Sequence, residues 1–311
     1  AIDPYGHELW RWTFPVNKLN QQTEQLSPLS SRPAYTETEN ELTVKANKRT
    51  FIFSKKDGQL KGISVDNRKI SFANGPRFIG ARRADRSLDQ FYNHDDEKAK
   101  EKDRTYSEFP DAAVFTKLDV KQDGGDLVVT ANYKLGNLDK AQWTINPSGD
   151  LALDYTYNFS GVVDLMGIRF DYPEDQVISK RWLGAGPYRV WQNRIHGTQY
   201  DVWENDYNDP IPGETFTYPE FKGYFGDVSW MNIQTKEGTI SLTNETPDAY
   251  IGVYQPRDGR DRLLYTLPES GISVLNVIPP VRNKVNSTDL CGPSSQPKWV
   301  NGPQTGRVIF R

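Results

Sequence analysis

The sequence predicts an almost all-β protein built from many short antiparallel strands, and three observations carry that expectation. Turn signals recur between runs of alternating residues, at Asp57-Gly58, Gly124-Gly125, Pro147 to Asp150 and Glu237-Gly238. Between them, Leu151, Leu153, Tyr155, Tyr157 and Phe159 alternate with Ala152, Asp154, Thr156 and Asn158. A period of two describes a strand with one buried face. No stretch alternates strands with helical patterns in the way a parallel α/β barrel requires.

Composition narrows the possibilities. A chain of 311 residues has room for one large β domain or two smaller ones. Hydrophobic content is 36%, low for a globular protein, while aromatics reach 12%, so rings must supply much of the burial. The net charge of −3 comes without a basic block, which argues against nucleic acid as a partner. No apolar run is long enough to span a membrane. A single cysteine, Cys291, excludes an internal disulfide and has no partner cluster for a metal, so it reads as a small buried apolar residue. No metal or cofactor is expected. The opening, AIDPYGHELW, is not a signal peptide. It reads as a cut from a longer polypeptide or as a mature exported protein, the second favouring a periplasmic or secreted location.

Along the chain, residues 1–40 read as a linker or the tail of a preceding domain, with a short aromatic strand from Leu9 to Val16 and then a polar stretch that buries little. The β domain is expected to run from 41 to 311. Its first run, ELTVKANKRTFIFS, turns at Asp57-Gly58 into QLKGISV. Residues 87–108 are strongly charged and read as a short helix or a solvated excursion. His94 beside Asp95 and Asp96 suggests a metal or acid/base site, or simply an exposed histidine. Hairpins then follow in series.

The rest is organised around Arg181 to Glu204, which carries Trp182, Trp191 and Trp203. Gly184 and Gly186 are expected to supply backbone conformations that other residues resist, and Pro187 to fix the exit. Such a connection displays rings rigidly. The tryptophans are core residues, or, beside Arg189, Asn193 and Arg194, they form a sugar-binding rim. Flat rings pack on the C–H face of a pyranose, while amides and guanidinium groups bond its hydroxyls.

WLGAGPYRVWQNR resembles the W-L-G-x-G-P-x-E-x-Y-x-D-R pattern of the C-terminal domain of family 2 beta-galactosidases. Trp182, Leu183, Gly184, Gly186, Pro187 and Arg194 match, while Arg189, Trp191 and Asn193 replace the family's Glu, Tyr and Asp. Asn47, Lys48, Arg49, Phe53, Gly58 and Leu60 resemble the start of that domain. Pro219, Glu220, Gly223, Asp227, Val228 and Trp230 resemble its P-Q-E-x-G and D-V-R-W landmarks, with Ser229 in place of the Arg. The resemblance implies a β-supersandwich of the galactose mutarotase-like kind. It also implies an accessory domain that shapes the sugar pocket of a barrel carrying the catalytic pair, so no catalytic residue is assigned here. A galactoside-like carbohydrate and the parent enzyme's barrel are the implied partners. Candidate carbohydrate-binding residues are Trp191, Arg194, Trp203, Tyr218, Glu220 and Trp299. Trp299 lies in a K-W-V-N-G-P loop, where the family has a tryptophan that walls the sugar site; the other reading is a core plug. Two alternatives stand beside this. One is a stand-alone carbohydrate-binding or structural module, using Trp182, Trp191, Trp203, Tyr218 and Trp230. The other is a mutarotase-like epimerase working through His196.

Overall fold

A computed structural model of the chain describes residues 2–9, 11–13, 31–83, 106–207, 223–254, 267–280 and 292–311. The described residues fold into nineteen strands and contain no α-helix. In order these are β1 (Ala34–Glu37), β2 (Glu41–Ala46), β3 (Arg49–Ser54), β4 (Leu60–Val65), β5 (Arg68–Ile70) and β6 (Ala73–Arg83). Next come β7 (Tyr106–Glu108), β8 (Val114–Asp123), β9 (Asp126–Lys134), β10 (Leu138–Ile145), β11 (Leu151–Val163) and β12 (Leu165–Asp171). The chain finishes with β13 (Val177–Gly186), β14 (Gln199–Asp206), β15 (Trp230–Thr235), β16 (Gly238–Asn244), β17 (Tyr250–Val253), β18 (Ile272–Val277) and β19 (Lys298–Phe310).

These strands make a supersandwich of two large antiparallel sheets. A ten-stranded sheet runs β1-β2-β3-β4-β6-β12-β18-β17, with β5 on β4 and β7 on β6. A nine-stranded sheet runs β14-β13-β15-β16-β19-β11-β10-β9-β8. Between them lies one apolar core, and its seam is aromatic, as the composition requires. Phe53 meets Trp143 at 6.0 Å between ring centroids, and Phe78 meets Tyr157 at 5.4 Å. Phe170 touches both Trp143 and Phe310 edge-on. Each pair joins one sheet to the other, so rings take the place of the missing aliphatic mass.

All four turn signals sit at hairpins: β3–β4, β8–β9, β10–β11 and β15–β16. On β11 the inward residues from Leu151 to Tyr157 are buried, while Asn158 is exposed. Two expectations are corrected, on the first run and on the charged stretch. ELTVKANKRTFIFS is itself a hairpin, β2–β3, turning at Asn47-Lys48, because Asn47 takes the left-handed conformation (φ 53°) that asparagine tolerates without glycine. At one edge of the ten-stranded sheet β1 pairs with β2, from Ala34↔Lys45 to Glu37↔Leu42. The charged stretch does not stay in solvent to its end: Tyr106–Glu108 pairs with β6, and the Tyr106 ring is buried. His94 and Cys291 lie outside the described residues.

Candidate carbohydrate-facing surface

The organising stretch folds as a hairpin with a broad connection. Its strands β13 and β14 pair from Ser179↔Asp206 to Gly186↔Gln199, which leaves residues 187–198 as the loop. The glycines before it belong to the strand, and neither takes the left-handed conformation expected of them. They are needed for close approach instead. A Cβ on Gly184 would stand 2.9 Å from the Gly226 carbonyl oxygen, and one on Gly186 would stand 2.3 Å from Cδ1 of the Trp203 indole. The Trp203 ring therefore lies across bare backbone, and its Nε1 donates to the Gln199 carbonyl (3.2 Å).

The loop is held from three directions. Val190 and Tyr224 exchange backbone hydrogen bonds of 2.7 and 2.8 Å. The Gln192 amide donates to the Pro279 carbonyl (3.0 Å), and its Nε2 donates to the Gln296 carbonyl (2.8 Å). Asn193 Nδ2 donates to the Ser295 hydroxyl (3.2 Å). Inside the loop, the Arg194 amide closes a tight turn on the Trp191 carbonyl (2.8 Å), and the Tyr188 hydroxyl donates to the His196 carbonyl (3.2 Å). Burial pushes the Tyr188 hydroxyl pKa up, while the Arg194 charge pulls it down. At the strand ends the Tyr200 hydroxyl shares a 2.6 Å hydrogen bond with Ser229, and the Tyr200 amide donates to the Thr13 hydroxyl oxygen (2.8 Å).

The expected aromatic rim is only partly displayed. Trp182 is wholly buried, edge-on to Phe225 at 4.8 Å. Trp191 is wholly buried too, packed at 5.8 Å and 86° against Tyr224 in a second core cluster. It anchors the loop, so the expectation that its ring is displayed is corrected. Arg189 is also buried, with its guanidinium 5.8 Å from the Phe225 ring centre. Trp203, Trp230 and Arg194 are half-buried, and His196 is exposed. Tyr218 and Glu220 lie outside the described residues. Trp299 is 70% exposed. It is not in a loop as expected but is the second residue of β19, directly opposite Val162 of β11. Next along that face, the Ser160 hydroxyl donates to Asn301 Oδ1 (2.8 Å). Only Pro297 and Lys298 separate Trp299 from Gln296, where the loop is tied down.

The structure thus joins the 187–198 loop, the 292–296 turn and Trp299 into one neighbourhood. Sequence reasoning missed the partners of that junction, Gln192, Ser295 and Gln296, because no local pattern marks a contact made across the chain. Among the described residues, no group of three or more His, Cys, Asp or Glu side chains is placed to hold a metal ion. Nor is any helix among them long and apolar enough to cross a membrane.

In shape the chain is similar to a putative aldose 1-epimerase from Escherichia coli K12, at 12% identity and a TM-score of 0.40, covering 89% of this chain and 99% of that one. It is also similar to galactose 1-epimerase from Lactobacillus acidophilus, at 10% identity and 0.42, covering 91% and 98%. A third is an amine oxidase from Aspergillus nidulans, at 9% and 0.34, covering 99% and 56%. No curated protein matches it in sequence. Residues 45–277 match the model of the beta galactosidase small chain family, a span that includes the three-way anchored loop and both of its strands. The chain belongs to the beta galactosidase small chain family.

Proposed function

We propose that this chain is an accessory domain of a family 2 beta-galactosidase, shaping the sugar pocket of a catalytic barrel and hydrolysing no glycoside alone. One observation carries the reading: an indole 70% exposed at the head of the last strand, beside a loop fixed in place by side-chain amides. Burying an indole is favourable, and leaving one in water at a rigid position suits a surface completed by another body or by a ligand. Trp299 is assigned the apolar wall. Arg194 and Trp203 are assigned the edge nearest the loop; Tyr218 and Glu220 are assigned sugar contacts on the family resemblance alone.

Tryptophan fluorescence of the whole chain, titrated with methyl β-galactoside, tests this. A spectral change that saturates in the millimolar range and disappears in Trp299→Ala is expected. No change up to roughly tens of millimolar, a Kd of negligible binding energy, would leave the surface a structural role only.

A further inference from the structure

The outer face of the ten-stranded sheet is shared between two regions. Part of it is covered by the second core cluster, where Ile79 and Leu275 meet Trp191 and Tyr224. Beside that cover lies a cleft of about 630 Å³, reaching from β6 across β12 to the start of β18. Two arginines lie side by side in its lining, Arg77 being paired directly with Arg169 across β6 and β12.

Like charges directly opposite on neighbouring strands destabilise a sheet, so this pair calls for an explanation. Arg77 is bonded to Asp171, which also accepts from Asn74 Nδ2 (2.9 Å). Arg169 donates through one terminal nitrogen to the Glu269 main-chain carbonyl. The Asp111 carboxyl is pushed up by desolvation and pulled back first by a hydrogen bond from the Ala113 amide and then by both guanidinium charges. The Nε of each arginine is enclosed with no hydrogen-bond partner among the described residues, so a molecule in the cleft could reach either guanidinium only through its terminal nitrogens. Buried donors left open are costly and uncommon.

The lining also says what would fill the space. Three carboxylates of the lining (Asp171, Glu174 and Glu269), with Asp111 acting on the same two guanidiniums, outnumber the arginines and leave an excess of negative charge. That balance repels an anion and gives a cation two arginines to avoid. A hydroxyl group donates and accepts at once, so a neutral polyol finds partners for both capacities. The volume lies within the range of small-ligand sites, ~300–1,000 Å³.

We propose that this cleft is a second saccharide site, separate from the Trp299 surface, that takes a neutral mono- or disaccharide. Arg77 and Arg169 donate to its hydroxyl and ring oxygens, Glu269 and Asp171 accept from its hydroxyls, and Tyr254 walls one side. This inference does not depend on the accessory-domain reading.

Isothermal titration of the whole chain with lactose, maltose and galacturonate tests it. Lactose or maltose is expected to bind, with galacturonate no tighter. Arg169→Gln is expected to weaken binding at least tenfold, as removal of a charged hydrogen-bonding partner does. Glu269 is exposed, so Glu269→Gln leaves the fold intact and gives a second, independent loss. Thermal melts of both variants confirm folding. The cleft is overturned by neutral sugars giving no heat, by galacturonate binding tighter than either, or by binding that both variants leave unchanged. Loss of binding in Trp299→Ala with both cleft variants unaffected overturns the cleft while supporting the other surface.

Discussion

Trp191 and Trp299 lie on either side of the contact between Gln192 and Gln296, and the structure assigns them opposite energetic roles. Trp191 has no exposed surface and makes an edge-on contact with Tyr224. A buried indole removes on the order of 200 Å² from water, which at ~25 cal/mol per Å² is worth about 5 kcal/mol. Alanine keeps a little of that, and large-to-small changes of this kind cost ~3–5 kcal/mol. For a chain of this size each kcal/mol moves the melting temperature by about 2 °C, so Trp191→Ala is expected to melt roughly 6–10 °C lower. Trp299 has little to lose, and an exposed substitution usually stays within about 0.5 kcal/mol, or roughly 1 °C. Paired calorimetric melts of the two variants against the unaltered chain make the comparison. Equal losses at both positions would falsify the division of roles, because Trp299 would then be a structural plug.

Other outcomes follow from the same geometry. Gly186→Ala puts a methyl group 2.3 Å from the Trp203 ring, and is expected to cost ~1–3 kcal/mol by overpacking and to change Trp203 emission; a silent substitution would remove the ring from that place. Asp227 takes the left-handed conformation (φ 49°) and is exposed overall, but partial desolvation of its carboxyl, with the Asp248 charge, pushes its pKa up. A carboxyl with a raised folded-state pKa costs stability above its unfolded pKa and relieves that cost as pH falls through the folded one. Asp227→Asn, which tolerates the same backbone, should therefore melt higher at pH 7 and lose its advantage in acid; an advantage constant with pH would contradict this. Glu237 is the reverse case. Burial opposes its ionisation, but hydrogen bonds from the Ser71 hydroxyl (2.6 Å) and amide (2.9 Å) and from Tyr172 (2.9 Å) hold its pKa down. Its contribution is complete above the unfolded carboxylate range and is lost as pH falls through the lowered value, so Glu237→Gln should differ from the unaltered chain at pH 7 and converge with it in acid.

The sequence carried the sheets better than it carried the surface. Hairpins at Gly124-Gly125 and Glu237-Gly238 were legible because turn chemistry is local, and so was the alternation along β11. The β2–β3 turn was not, since Asn47-Lys48 lacks the glycine that usually marks such a reversal. Among the tryptophans, residue type gave no means of telling buried from displayed. Trp182 and Trp203 stand directly opposite one another on paired strands, yet one is sealed by Phe225 and the other lies half-open over Gly186. That difference is decided by segments distant in sequence. The cleft was invisible for the same reason, because Arg77 and Arg169 become neighbours only when β6 pairs with β12.

The accessory role is tested most directly by hydrolysis. The purified chain is incubated with nitrophenyl β-galactoside, alone and after mixing with the barrel-bearing polypeptide that the proposed accessory role requires as its partner. No turnover above the uncatalysed rate is expected from the chain alone. The mixture is expected to turn over, with kcat/KM lowered when Trp299→Ala replaces the unaltered chain. Robust turnover by the isolated chain, persisting through further purification, would contradict the accessory role.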